Sequence, residues 1–536
     1  MPLALLTGIL SFFYTKLVLS GVYIMLNYIM RRIGVSIVIL FGSSFLVYNL
    51  AAYASDPLAE LRLSSDDSAR QQIIALTRDL NLDTPPPLRY FLWLKGVLGL
   101  FVGNLDLGMT REASSVQKEL AYAIPVTLRL VLVATFTALL IGMALGIISA
   151  LRQYSRFDYG MTFLAFLLYS LPIFWIAVLL KEFMAIQFNN FLSEPNIPIR
   201  WMVIISLFTG IFWGALIGGE RKRFWSIFGG AFATNVVILW AVNLTDWYLN
   251  PGLGPIFIGL LSFGLAIGVT SISTGIENKP ARNAALSMAA LAVACYFPVQ
   301  WIFNNFGSYL TIFLLIALIV FTGIALSKFL SKIDRGPIAR TAIITGIFSG
   351  FLILTDRIMQ SWAPYMATDA VNGRPVPTYG QRKDQLVTDD FWLNNLDITM
   401  HLILPTLALL LISLAGWTRY TRGALLEVLN QDYIRTARAK GLNERTVITR
   451  HAFRNMMLPL SSLFVGEILG LISGAVITER VFGWQGMGTL GIKAINSYDL
   501  NLLMGVNLLL SILVVAGNLI ADLLYSALDP RIRLKK

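Results

Sequence analysis

The residues best equipped to do chemistry lie together at 432–459, DYIRTARAKGLNERTVITRHAFRNMMLP, between two apolar stretches. Their chemistry is non-covalent docking. Asp432 suits the N-cap of a helix over 433–440, where its carboxylate accepts free backbone N–H groups of the first turn. Gly441 suits the end of that helix. Asn443 suits the cap of a second one over 444–456, with Glu444 at its positive end and Pro459 closing it before the next span. In the first helix the small Ala437 and Ala439 admit close approach of another surface, and Thr436, Arg438 and Lys440 add polar and cationic contacts. Two readings follow from these residues alone: a contact for another protein, or an amphipathic helix lying on the lipid surface.

Other residues stand out singly. Glu467 falls inside the apolar run 460–477, where an ionisable group is costly. It either lines a pathway and meets a substrate amine, or sits hydrogen-bonded at a subunit contact. Pro172 lies within the apolar run 161–180 and should kink it by removing a donor and crowding the preceding turn. A pathway and plain packing explain such a kink equally. Gly486, Gly488 and Gly491 spell G-x-G-x-x-G, but they follow a span and the aromatic turn Phe482-Gly483-Trp484, with no βαβ unit around them. A turn or re-entrant segment facing the pathway, with Trp484 in it, is therefore expected instead of a dinucleotide site.

No phosphate loop, H-E-x-x-H or G-x-S-x-G occurs, so this chain should not itself hydrolyse ATP. His401 and His451 flank one apolar stretch from opposite sides, and Cys295 is the single cysteine. No catalytic centre, metal site, cofactor or intramolecular disulfide is expected.

The elements that must position these residues are membrane helices. Of 536 residues 56% are hydrophobic and 13% charged, with mean hydropathy +0.69, so the solvent must be mainly lipid. Runs such as 126–150, 309–326 and 502–524 reach the roughly 20 residues a helix needs to cross the hydrocarbon core. Helices are the form that satisfies their backbone groups there. The net charge of +12 collects in short loops between apolar runs, as the positive-inside rule places it. No basic face alternates with aromatics, so nucleic acid is not an expected partner.

Along the chain, residues 1–24 form a hydrophobic extension that is an extra span, an interfacial helix, or text preceding a start at Met25. A span at 33–54 leads outside, to a polar segment 55–123 read as a small extracytoplasmic subdomain. Spans at 125–151 and 161–180 follow. Residues 182–395 then carry about six further apolar runs, at 201–217, 224–242, 255–273, 284–303, 309–326 and 341–358. The last part, 396–536, has spans at 401–417, 460–477 and 502–524, a basic cytoplasmic loop over 419–459 and a basic tail.

The text Asp432-Tyr433-Ile434-Arg435-Thr436-Ala437-Arg438-Ala439-Lys440-Gly441-Leu442, followed by Leu458-Pro459, resembles the cytoplasmic EAA loop of permease subunits in binding-protein-dependent ABC importers. The longer spacing from Gly441 to Pro459 is similar to the branch importing dipeptides, oligopeptides and nickel. Further text agrees: Gly103-Asn104-Leu105-Asp106-Leu107-Gly108, Ile124-Pro125-Val126-Thr127-Leu128, Ser170-Leu171-Pro172-Ile173-Phe174-Trp175 and Leu528-Asp529-Pro530-Arg531. The resemblance covers 25–181 and 401–536 and points to the first of the two permease types.

It implies an all-α polytopic fold, a six-span type I permease core here enlarged by about six inserted helices. It implies a prokaryotic cytoplasmic membrane with the core's two ends inside, a second permease subunit, two separate ATPase subunits and an extracytoplasmic substrate-binding protein. It makes Asp432, Tyr433, Arg435, Thr436, Ala437, Arg438, Ala439, Lys440, Gly441, Leu442 and Pro459 the ATPase contact. The insert 182–395 departs from the family, where this interval is a short external connection. The rival reading is a secondary transporter driven by an ion gradient, which calls for inverted repeats and paired intramembrane charges.

Overall fold

The computed structural model describes residues 30–54, 56–63, 67–217, 219–331, 335–386 and 388–528, without the side chains of 60, 67, 471–474 and 522–528. The expectations for 1–24 and for the basic tail lie outside these residues. Among them the chain is helical, with one isolated β-bridge between Met109 and Ser115. Among the described residues nine helices are long and apolar enough to cross a bilayer, or up to eleven if each of two bent pairs counts as one span.

The described residues divide into two compact units, one within 30–180, 379–381 and 403–528, the other within 181–378 and 382–402. In the first unit, Val116–Leu151 is the central helix. Ala134, Ala138, Gly142, Gly146 and Ala150 recur every fourth residue along it, and all are buried. That spacing makes one stripe of small residues, which lets another helix backbone approach closely. The partner is the C-terminal part of Phe391–Leu429. A Cβ on Gly142 would lie 2.5 Å from Cβ of Trp417, and one on Gly146 2.7 Å from the Thr418 carbonyl oxygen. The helix Pro86–Leu98 of the polar segment packs back onto membrane helices: Tyr90 donates or accepts a 2.8 Å hydrogen bond with Ser44 and stacks edge-on to Tyr48 at 5.5 Å.

In the second unit the six apolar runs form helices at Ile199–Ile217, Arg221–Leu244, Gly254–Ser273, the pair Lys279–Ala294 and Tyr296–Asn305, Tyr309–Leu330 and Arg335–Gln360. The run expected at 284–303 is bent by 53° at Cys295. Asp356 is its buried organiser. One carboxylate oxygen accepts the N–H groups of Leu253 and Gly254 at 2.6 and 3.1 Å. The other accepts from Tyr296, Gln300 and Gln360 at 2.6, 3.3 and 2.9 Å. These donors satisfy a charge that would otherwise be prohibitive at this depth.

Candidate functional site

The cytoplasmic loop is two short helices locked to each other. The first spans Asp432–Ala439. Its cap differs from the expectation: the helix begins one residue early, Gln431 takes the cap position without a side-chain bond, and Asp432 lies in the first turn. There its exposed carboxylate reaches Arg435 at 3.5 Å, and its charge still favours the positive helix end. Gly441 follows with φ +76°, a left-handed conformation suited to glycine. The Gly441 N–H donates to the Arg438 carbonyl at 2.9 Å and the Leu442 N–H to the Ala437 carbonyl at 3.4 Å. This is the Schellman pattern of helix termination. Asn443 caps the next turn as expected, accepting the Thr446 N–H at 2.9 Å.

Two side-chain links hold the halves together. Arg438 grips Glu444 through two nitrogens at 3.1 and 2.7 Å, and this guanidinium holds the Glu444 carboxyl below its ordinary range. Asn455 donates to the Tyr433 hydroxyl at 2.7 Å.

The burial pattern corrects the role given to Ala437. Ile434 and Ala437 are 0% and 7% exposed and face inward, packing in one cluster with Val447, Ala452, Met456 and Leu460. The smallness of Ala437 therefore serves packing within the chain, one helical turn from Ile434. The outward face consists of Tyr433, Arg435, Thr436, Ala439, Lys440, Gly441 and Leu442. Pro459 is a second correction. The backbone widens into a π-helical turn over Val447–Ala452 and continues as Phe453–Gly474, so Pro459 lies inside a helix and does not end one. A π-turn relieves the ladder locally, and neighbouring helices tolerate the missing donor.

A buried ion pair stands next to the loop, unforeseen from the sequence. Asp158, 2% exposed, takes Arg422 in a two-pronged contact at 2.7 and 2.8 Å. Ser149 donates to Asp158 at 2.5 Å and the Tyr154 N–H at 3.0 Å. The pair ties the turn after Val116–Leu151 to the end of Phe391–Leu429, which leads into the loop. Its signal was Ser155 three residues before Asp158, a capping pattern in which Ser155 accepts the Asp158 N–H at 3.2 Å.

The three tentative pathway residues separate. At Pro172 the run breaks completely, with Arg156–Ser170 and Ile173–Ser193 at 101°, because Leu171 before the proline is extended. Glu467 is half-buried and faces the side chains of Ser413 and Trp417. Trp484 is 2% exposed, so its ring is packed within the unit and does not face an open path.

The glycine motif beside Trp484 has a different purpose. Glu479, missed from the sequence and 0% exposed, accepts the Thr127 hydroxyl at 2.6 Å and the Thr489 N–H at 2.9 Å. A Cβ on Gly486 would sit 2.2 Å from the Glu479 Oε1, and one on Gly488 3.0 Å from Oε2. The motif thus wraps the start of Met487–Asn496 around a carboxylate of its own chain. The histidines stay apart: His401 is buried, its Nδ1 2.8 Å from the Asp397 carbonyl, while His451 is half-buried in the loop. Among the described residues no group of three His, Cys, Asp or Glu could hold a metal.

Known proteins are similar to this chain in sequence. The oligopeptide transport system permease protein OppB of Mycobacterium bovis is 44% identical over 137 residues, 26% of this chain and 42% of the relative. The oligopeptide transport system permease protein AppB of Bacillus subtilis is 37% identical over 226 residues, 41% of this chain and 66% of the relative. The dipeptide transport system permease protein DppB of Escherichia coli is 45% identical over 143 residues, 27% of this chain and 42% of the relative. The chain thus spans less than half the length of two of these relatives and just under two thirds of the third. The family described as binding-protein-dependent transport system inner membrane component matches residues 142–534, which include the loop, its buried ion pair and the glycine turn. The chain belongs to the binding-protein-dependent transport system inner membrane components.

Proposed function

We propose that this chain is one of two permease subunits of an ATP-driven importer that carries peptides or related small solutes across a prokaryotic cytoplasmic membrane. The observation that supports it most is the outward face of the loop. Tyr433, Arg435, Thr436, Ala439, Lys440 and Leu442 are all exposed, while the loop is held rigid by its own cap, ion pair and packing. A rigid element with an exposed apolar and cationic face suits a surface that transmits force. Two separate ATPase subunits closing on ATP would push this loop, and its continuity with the long helices on either side would tilt them between inward- and outward-facing states. Substrate would come from an extracytoplasmic binding protein docking on 55–123 and the turn around Trp484. In this reading both ends of the permease core are cytoplasmic. The names of the relatives favour peptides as cargo.

The core comprises 25–181 and 396–536, and 182–395 is an added multi-span region without a part in translocation. Vesicles containing the chain with its encoded neighbours test the proposal. Peptide uptake should require ATP and the matched binding protein, and undiminished uptake without any ATPase would refute it. Removal of 182–395 should leave that uptake in place. Its abolition in an inserted protein would contradict the assignment of the added region.

A further inference from the structure

A cavity of about 170 Å³ lies in the first unit between Arg156–Ser170 and Phe391–Leu429, beside the Asp158–Arg422 pair. At roughly 30 Å³ for each water it is the size of several waters, enough for a phosphate-sized group. Its two walls differ in character. Met161, Ala165 and Phe166 of Arg156–Ser170 are apolar, and Thr418, Arg419 and Arg422 of Phe391–Leu429 are polar.

The charges on that wall do not cancel. Arg422 is neutralised by Asp158. Arg419 is held differently: its guanidinium carbon lies 5.2 Å over the Tyr169 ring and 5.6 Å from the Tyr420 ring centre. Among the described residues no carboxylate forms an ion pair with it. A cation–π contact does not consume the N–H groups of a guanidinium, so an anion can still accept from them. Beside it the Thr418 hydroxyl is buried, the residue being 4% exposed, and it has no hydrogen-bond partner among the described residues. A buried hydroxyl left unpaired is costly, and a ligand oxygen would satisfy it.

The same helix also exposes Phe163 and Leu167 at 69% and 44%. A hydrocarbon chain leaving the cavity would lie along them. A cation and a hydroxyl donor facing an apolar wall, beside an exposed apolar helix face, match the headgroup and the chain of a lipid. We propose that this cavity is a binding site for an anionic phospholipid, its phosphate held by Arg419 and Thr418 and an acyl chain lying against Met161, Ala165 and Phe166. Basic crevices between membrane helices recognise lipid headgroups in this manner. The site requires the chain's placement in a bilayer but not the import reading, since lipid retention is measured without ATPase or substrate.

The test is native mass spectrometry of the full chain released from vesicles of phosphatidylglycerol and phosphatidylcholine. The wild type should retain phosphatidylglycerol in preference to phosphatidylcholine. Arg419→Gln should weaken that retention roughly tenfold, the loss of one charge-assisted contact. Arg450→Gln, the same charge change on the exposed part of the loop, should not. Equal retention by Arg419→Gln and wild type overturns the site, and so does retention without preference for the anionic lipid. Displacement by soluble glycerol phosphate would make it a site for free anions and refute the lipid assignment. If Arg419→Gln fails to insert, Thr418→Val removes only the hydroxyl, and unchanged retention in that variant is equally fatal.

Discussion

Gly441 separates an intrachain effect from an interface effect. Its φ of +76° places it in the left-handed region, where a side-chain-bearing residue costs roughly 1–2 kcal/mol. A Cβ built there meets no atom within 4 Å, so the chain itself offers no steric objection to a larger group. Gly441→Ala and Gly441→Trp should therefore destabilise the end of the first loop helix by the same amount. Gly441→Asn should do so less, because asparagine tolerates this conformation better. Melting midpoints in detergent and amide exchange at Leu442 should place Ala and Trp together.

If an ATPase surface covers Gly441, the two part company in binding. Tryptophan would have to displace the partner, and association weakened at least about tenfold corresponds to roughly 1.4 kcal/mol. Co-purification of the ATPase and ATP-driven uptake in vesicles read that difference. Equal association and uptake for Ala and Trp would refute the docking role of the glycine.

Asp158→Asn removes the partner of Arg422 but leaves the cation; because that arginine is 29% exposed, the loss should fall below the ~3–5 kcal/mol of a fully buried pair, at about 2 kcal/mol. An unfolding midpoint equal to wild type would contradict this. Glu479→Gln turns an amide donor toward groups that donate to the carboxylate and should cost about 1–3 kcal/mol. Gly486→Ala drives a Cβ into the same carboxylate and should lower stability as well, so wild-type melting in both variants would sink the carboxylate-wrapping account. The Arg438–Glu444 link depends on pH. Its folded carboxyl pKa is depressed from 4.5, so the stabilisation is present above 4.5 and disappears as pH falls through the lower folded value. Amide protection around Asn443, corrected for intrinsic exchange, should drop in that window. Arg438→Gln should abolish the drop, and an unchanged profile in that variant would rule out the pair as its cause.

Much of this protein was readable locally. Apolar runs announced helices because each must satisfy its own backbone and offer lipid an apolar surface, requirements met within one segment. The cap at Asn443 and the stop at Gly441 were readable for the same reason: their bonds close within three to five residues. The missed features are those whose partners are distant. Arg422 lies 264 positions from Asp158, and Glu479 lies 352 from Thr127. A carboxylate near a span end looks the same in text whether it meets water, substrate or such a partner. The smallness of Ala437 suits either side of a helix, and only its place in one cluster with Val447 and Ala452 decides that it faces inward. Pro459 looked like a stop because proline lacks a donor, yet the widened turn before it and surrounding helices carry the chain through.

The sequence by itself determined the apolar helices, the loop with its stop at Gly441 and its cap at Asn443, and the permease family. The tertiary structure alone decided which loop residues face outward, which carboxylates are bound within the chain, and why two glycines must lie against Glu479. Helix formation depends on neighbours a few residues away, whereas burial and ion pairing depend on which distant helices pack together.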